Sequence, residues 1–170
     1  MKARKARSSD AEAIYRLISH YTAEGLLLPR AEEEIRRNIS HFLVCEEKRL
    51  IVGCVALESY TADLAEIRSL AVDPQLRGRG LGARLIGAAL GEARCRGTAR
   101  VFAVTHSPEF FVRHGFTAGS RRSLTEKIER DCRACPKQRS CRLVAVIATV
   151  IPEGAALPVL SDSAIPVSAA

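Results

Sequence analysis

Apolar residues recur at helical spacing early in the chain, where Ile14, Leu17, Ile18 and Tyr21 mark one face of a helix. Ser8, Ser9 and Asp10 precede it as capping residues, and Gly25 ends it. Residues 2–6 in front of it suit a short edge strand. Leu26, Leu27 and Leu28 then form an apolar loop before Pro29 and Arg30. A second helix is expected from about Ala31, with Ile35 and Ile39 on one face. Leucines in a loop beside an arginine either line a pocket for a small charged molecule with an aliphatic stem or bury against the sheet.

The pattern then changes to that of strands. Residues 42–47 and 50–59 read as a hairpin around a polar turn at Glu47-Lys48, and Gly53 marks a bend or a close approach. Residues 65–72 form a third strand that runs into Asp73-Pro74. From Leu81 the helical period returns through Leu85, Ile86, Ala89, Leu90 and Ala93, closed by Gly97, and a strand follows at 99–105. Strand, loop, helix, strand is a crossover unit with parallel strands. A short helix at 108–113, a strand at 116–119 and a last strand at 143–150 complete the pattern, and the unbroken apolar run of the last implies burial on both faces. Residues 1–150 therefore read as one α/β (α+β) domain. Residues 151–170, rich in Ala, Pro, Ser and Val, read as a flexible tail with enough apolar content for part of it to dock on the domain.

Composition narrows the classes. A chain of 170 residues that is 47% apolar fits one globular domain. No apolar stretch approaches a bilayer span, and the opening MKARKARSSD lacks the apolar run of a secretion signal, so no membrane association and a cytoplasmic location are expected. The formal charge of +7 favours an anionic partner. Nucleic acid is disfavoured among such partners, because the arginines are scattered and no basic run is interleaved with aromatics. Of six cysteines, Cys45, Cys54 and Cys95 sit in core-like patterns and only Cys132, Cys135 and Cys141 cluster. Three thiols fall short of the four ligands of a closed zinc site, so no metal is expected; a redox pair and a purely local fold stay open beside it.

The chemically distinctive stretch is Arg77-Gly78-Arg79-Gly80-Leu81-Gly82, between a strand and a helix, where free backbone amides can face an anion. It lacks the Gly-Lys-Ser/Thr ending of a P-loop and the acidic ribose ligand of a dinucleotide fold. The glycines also suit a plain strand-to-helix junction. The longer stretch from Glu66 to Gly82, with Arg77, Gly80 and Gly82 in the pattern Arg/Gln-x-x-Gly-x-Gly/Ala, resembles the signature of the GNAT superfamily of N-acetyltransferases. Phe110-Phe111-Val112-Arg113-His114-Gly115-Phe116 is similar to that family's second landmark. The resemblance covers residues 3–150 and implies a mixed, centrally splayed β-sheet flanked by helices. It further implies acetyl-CoA bound along Leu70, Ala71 and Val72 and at Arg77, Gly78, Arg79, Gly80, Leu81 and Gly82.

Three further stretches narrow the resemblance: Tyr21 to Arg30, Thr105 to Phe111, and Lys127-Ile128 with Asp131-Cys132-x-x-Cys135-Pro136-Lys137-x3-Cys141. Together they are similar to the short, single-domain bacterial N-acetylglutamate synthases. That likeness implies L-glutamate as acceptor, N-acetyl-L-glutamate as the product that begins arginine biosynthesis, and a homodimer. Glu66 is then the candidate general base, the backbone amide of Leu70 or Val72 the donor to the carbonyl oxygen, and His106 a candidate acid. The family's usual acid is a tyrosine, and Phe111 stands in that place without a proton to give. Two substrate carboxylates call for cations, with Arg30, Arg68 and Lys127 the candidates. Two alternatives remain: acetylation of another small amine or a protein N-terminus, and a noncatalytic acyl-CoA sensor.

Overall fold

A computed structural model of the chain describes residues 2–135 and 141–151. Strand β4 (Leu64–Val72) organises it. On one side β4 pairs antiparallel with β3 (Leu50–Ser59), which pairs with β2 (Phe42–Glu47), which pairs with the edge strand β1 (Ala3–Lys5). On the other side β4 runs parallel to β5 (Arg100–Thr105), with α3 (Leu81–Cys95) as the crossover. β7 (Val144–Thr149) lies antiparallel between β5 and β6 (Thr117–Gly119), giving the order β1-β2-β3-β4-β5-β7-β6. That interior place explains the unbroken apolar run of β7: Ala145 packs on one face, Val146 and Ala148 on the other.

The parallel pairing covers only Leu64, Ala65 and Glu66 against Arg100, Val101 and Phe102. Beyond it β4 runs on to Val72 and β5 to Thr105, so the sheet is splayed at its centre, as the family resemblance implies. A β-bulge accompanies the opening. Ser69 and Leu70 together oppose Val55, between the pairs Cys54 with Ala71 and Ala56 with Arg68, and Ser69 takes φ +50°. The extra residue reverses the alternation. Leu64 and Ala71 pack with cores on one face, whereas Ala65, Ile67, Leu70 and Val72 pack toward α3 on the other.

The two faces carry different covers. α3 and α4 (Pro108–Val112) lie over Leu43, Val55, Ile67, Val101 and Ala103. The opposite face is shared. α1 (Ala11–Ala23) and α2 (Glu32–Arg37) cover Val44, Cys54, Ala56 and Ala71, while Leu124, leading into α5 (Thr125–Lys127), covers Leu64, Phe102 and Ala145. α5 continues as a π-helical turn, Ile128–Cys132. Between the two covers lies a polar strip of β3 and β4.

Helix boundaries follow local chemistry. Asp10 does not cap α1 forward: its carboxylate accepts from the Arg7 amide at 2.7 Å and from Arg4, closing a 3-10 turn, Ser8–Asp10, ahead of the helix. Ile39 lies past the end of α2, in a separate 3-10 turn, Ile39–His41. Among the described residues no helix is long and apolar enough to cross a membrane. Of the tail expected at 151–170, residues 152–170 lie outside the described residues.

Candidate functional site

The strip between the two covers holds the acceptor candidates. Glu66 and Arg68 leave β4 on the same face, and Glu58 lies directly across from Glu66 on β3. Like charges opposite one another repel, and the surrounding cations answer that repulsion. Arg68 Nη1 donates to Glu58 Oε2 at 3.1 Å and its Nε lies 3.5 Å from Glu66 Oε2. Arg130 bonds the other Glu58 oxygen. Lys127 Nζ donates to Glu66 Oε2 at 2.9 Å and to Asp131 Oδ2 at 2.6 Å, the latter one helical turn along the chain.

Tyr60 ties these groups together. Its hydroxyl lies 2.8 Å from Glu66 Oε2 and 2.6 Å from Asp131 Oδ2, and accepts from Lys127 at 3.3 Å. A phenol has one proton and donates to one carboxylate at a time, so Lys127 supplies the donors for the other. Burial, then the charge of Glu66 and the hydrogen bonds to both carboxylates, holds the Tyr60 phenol well above its ordinary range. Burial works against the Arg68 guanidinium, but Glu66 and Glu58 outweigh it and raise its pKa. Asp131 is likewise buried, yet Lys127 and Tyr60 hold its carboxyl below the usual range.

All of these contacts to Glu66 fall on Oε2. Among the described residues no buried side-chain N or O atom lacks a hydrogen-bond partner. The carboxylate is thus gripped through Oε2, and Glu66 as a residue is only 3% exposed.

Arg30 joins the strip from the loop before α2. Its Nη1 lies 2.9 Å from Glu34 and its Nη2 3.7 Å from Glu58 Oε2. A cavity of about 160 Å³ opens there, lined by Leu28, Pro29, Arg30, Glu34, Glu58 and Arg68 among others. Of the three leucines, Leu28 lines it and Leu27 packs on the core, so the loop takes both fates open to it. A larger cavity, about 350 Å³, lies on the other flank under Lys127 and the turn after β6, beside Val104 of β5. Arg30, Glu66, Arg68 and Lys127 are therefore brought into one network. His106 is not among them; it is exposed just past β5.

The glycine loop lies at the far end of β4. Gly80 takes φ +75° as N-cap of α3, which favours glycine, and no side chain caps the helix. The first-turn amides, from Leu81 onward, have no partner within the helix, and the turn holds no acidic residue. Gly82 serves a different need, because a β-carbon there would lie 2.9 Å from Phe110 Cζ. Arg79 faces Glu47 at 3.3 Å. Arg77 Nε donates to Tyr21 Oη at 3.1 Å and its guanidinium stacks 5.0 Å over the Tyr21 ring, while the Tyr21 hydroxyl bonds the Val72 carbonyl. The loop is thereby tied to the end of β4, beside the open part of the sheet. Phe111 is a core residue, 5.3 Å ring to ring from Phe116.

Tyr60 and Glu58 carry no motif and escaped the sequence reading, and Asp131 stood there only as part of the stretch from Lys127 to Cys141, without a role. The spacing of Lys127 and Asp131 on a helix was the available signal for one of them. Cys132, Cys135 and Cys141 are free thiols, Arg121 Nη1 lies 2.6 Å from Cys141 Sγ, and among the described residues no group of His, Cys, Asp and Glu is placed to hold a metal ion. Pro136 and Lys137 of that stretch lie outside the described residues.

A mixed sheet opened between its two parallel strands, with an uncapped helix start at the end of one, is the architecture of an N-acetyltransferase, and the chain belongs to the acetyltransferase (GNAT) family, whose model matches residues 11–116. It is 39% identical over 147 residues to an uncharacterized N-acetyltransferase of Chlorobaculum tepidum, covering 86% of this chain and 95% of that protein. To an amino-acid acetyltransferase of Mycobacterium tuberculosis it is 37% identical over 135 residues, covering 77% of each. Among solved structures, N-acetylglutamate synthase from Neisseria gonorrhoeae, complexed with coenzyme A and N-acetyl-glutamate, superposes with a TM-score of 0.80 at 32% identity over 88% of this chain. The chain spans 35% of that synthase's length. The family and its synthase-like branch, inferred from motifs, are thus matched by relatives.

Proposed function

We propose that the protein transfers the acetyl group of acetyl-CoA to the α-amino group of L-glutamate, forming N-acetyl-L-glutamate and CoA. The observation that carries this reading is the convergence of Arg68 and Lys127 on Glu66, with Arg30 on the facing Glu58, on the face that meets the opening of the sheet. The amino-acid acetyltransferase and N-acetylglutamate synthase relatives support it.

Acetyl-CoA supplies the acetyl group as an activated thioester. The first-turn amides of α3, with Arg77 and Arg79 beside them, suit the phosphates. The backbone of Leu70, Ala71 and Val72 edges the open part of the sheet, and the bulge frees Leu70 from the ladder as a donor to the thioester carbonyl oxygen. Glu66 Oε1 takes the proton from the acceptor ammonium, directly or through water, while Oε2 stays fixed by Tyr60, Lys127 and Arg68. Arg30 and Arg68 orient the acceptor carboxylate. No side chain need form a covalent bond when both substrates are held together.

The test is thiol release from acetyl-CoA with L-glutamate, L-glutamine, L-aspartate and a polyamine compared in parallel. Saturable release with glutamate supports the reading. Release with another amine, and none with glutamate, would keep the family and change the acceptor.

A further inference from the structure

The two cavities beside the Glu66 strip differ in charge. In the smaller one Arg30 and Arg68 are already matched by Glu34 and Glu58. The larger is lined by Val104, Ser120, Arg121, Arg122, Leu124, Lys127, Ile128 and Cys132, three cations and no acid. Lys127 turns its ammonium to Glu66 and Asp131. Among the described residues Arg121 bonds the sulfur and carbonyl of Cys141, and neither Arg121 nor Arg122 meets a carboxylate. Uncompensated cations in a recess with low-dielectric walls attract an anion. The walls say which kind: Val104, Leu124 and Ile128 suit methylene groups, so a carboxylate on an aliphatic stem fits better than a bare inorganic anion.

We infer that this cavity receives the side-chain carboxylate of the acceptor, and that Arg121 and Arg122 set the preference for an acidic side chain over its amide. The inference rests on the acetyltransferase reading above and extends it to residues that no motif marks. Lys127 lines the cavity and also bonds Glu66 Oε2 at 2.9 Å. A carboxylate in the cavity is therefore one side chain away from the group that takes the amine proton. Glutamate carries its side-chain carboxylate on two methylenes, which Leu124 and Ile128 can receive, and aspartate is one methylene shorter. Arg30 and Arg68 are left for the α-carboxylate. An amide in the same place would leave arginines without a counter-charge, which is how a built polar pocket rejects a near-isostere.

The experiment compares kcat/KM for L-glutamate and L-glutamine in the wild-type protein, Arg122→Gln and Arg121→Gln. Arg122 is exposed and its replacement spares the core. Arg121 holds Cys141, so Arg121→Lys accompanies it as the variant that keeps the charge. The ratio for glutamate over glutamine is expected to fall about tenfold to a hundredfold in Arg122→Gln, the size of a lost charged hydrogen bond, through KM for glutamate. An unchanged ratio, with both substrates affected alike, overturns the inference and leaves the function intact. Should the wild-type protein not acetylate glutamate, calorimetric titration with glutarate, a dicarboxylate without an amine, tests the cavity separately. Binding weakened tenfold or more by Arg122→Gln sustains the inference, and no binding, or equal binding by both proteins, ends it.

Discussion

Lys127→Met is the sharpest perturbation of the network, since it keeps the aliphatic stem and removes only the ammonium. The Lys127 side chain is 13% exposed, and its ammonium donates to Glu66, Asp131 and Tyr60 at 2.9, 2.6 and 3.3 Å. Taking one partner from a buried ion pair costs about 3–5 kcal/mol. Arg68 remains within 3.5 Å of Glu66 Oε2 and 3.4 Å of Asp131 Oδ2, so the expected loss is nearer about 2–3 kcal/mol. The pH dependence has a definite sign. Asp131 is held below the usual carboxylate range, against its burial, by Lys127 and Tyr60. A depressed carboxylate adds stability that is present above its unfolded pKa and is lost as the pH falls through the folded one. Without Lys127 the folded carboxyl takes up a proton more readily, so the gap between wild type and variant is widest near neutrality and closes as the pH falls below about 4, through the lowered carboxyl of the wild type. Urea unfolding at several pH values measures it, and the double variant Lys127→Met with Asp131→Asn should cost less than the sum of the two single changes. A loss below about 0.5 kcal/mol at neutral pH, or a gap that widens in acid, would refute the reasoning.

Three further outcomes are expected. Gly82→Ala drives a β-carbon to 2.9 Å from Phe110 Cζ, and this overpacking should cost about 1–3 kcal/mol in thermal unfolding; an unchanged midpoint would mean that Phe110 moves aside freely. Burial pushes the Cys54 thiol up to about 12, so native-state alkylation at pH 8 followed by mass spectrometry should label the exposed Cys95 and spare Cys54. Arg4 bonds Asp10 and Glu46, each at 2.7 Å, and the hydrogen bond from Arg4 holds Asp10 below its ordinary range. Asp10→Asn should therefore cost about 1–3 kcal/mol at neutral pH, and chemical denaturation should show this difference shrinking as the pH falls through the carboxylate range.

Much of the fold is legible in the chain because its signals are local. The periods of Ile14 to Tyr21 and Leu81 to Ala93 mark helices, and the strands at 42–47 and 50–59 appear within a residue of their expected limits. The crossover around the glycine loop follows from the order of elements, since a parallel return needs a helix. Illegible were the features set by contacts distant in sequence. The bulge at Ser69 and Leu70 depends on the register with β3 and turns Leu70 to the face opposite Glu66, where simple alternation would keep both together. Tyr60 belongs to the site only because Lys127 and Asp131 fold over it from 67 and 71 residues away. Arg30, Glu66, Arg68 and Lys127 were nameable from motif resemblance and charge chemistry. Their mutual pairing, and the absence among the described residues of any such pairing at Arg121 and Arg122, is visible only in three dimensions.

The central claim is that this site acetylates the α-amine of glutamate in preference to other amines. A single competition reaction addresses it most directly: purified protein, acetyl-CoA and an equimolar mixture of the common amino acids, with glutamate carrying nitrogen-15, and every acetylated product resolved by mass. N-acetylglutamate retaining the label is expected as the dominant product, with N-acetylglutamine and N-acetylaspartate far behind. A different dominant product, or no acetylated amino acid from protein that binds acetyl-CoA, would contradict it.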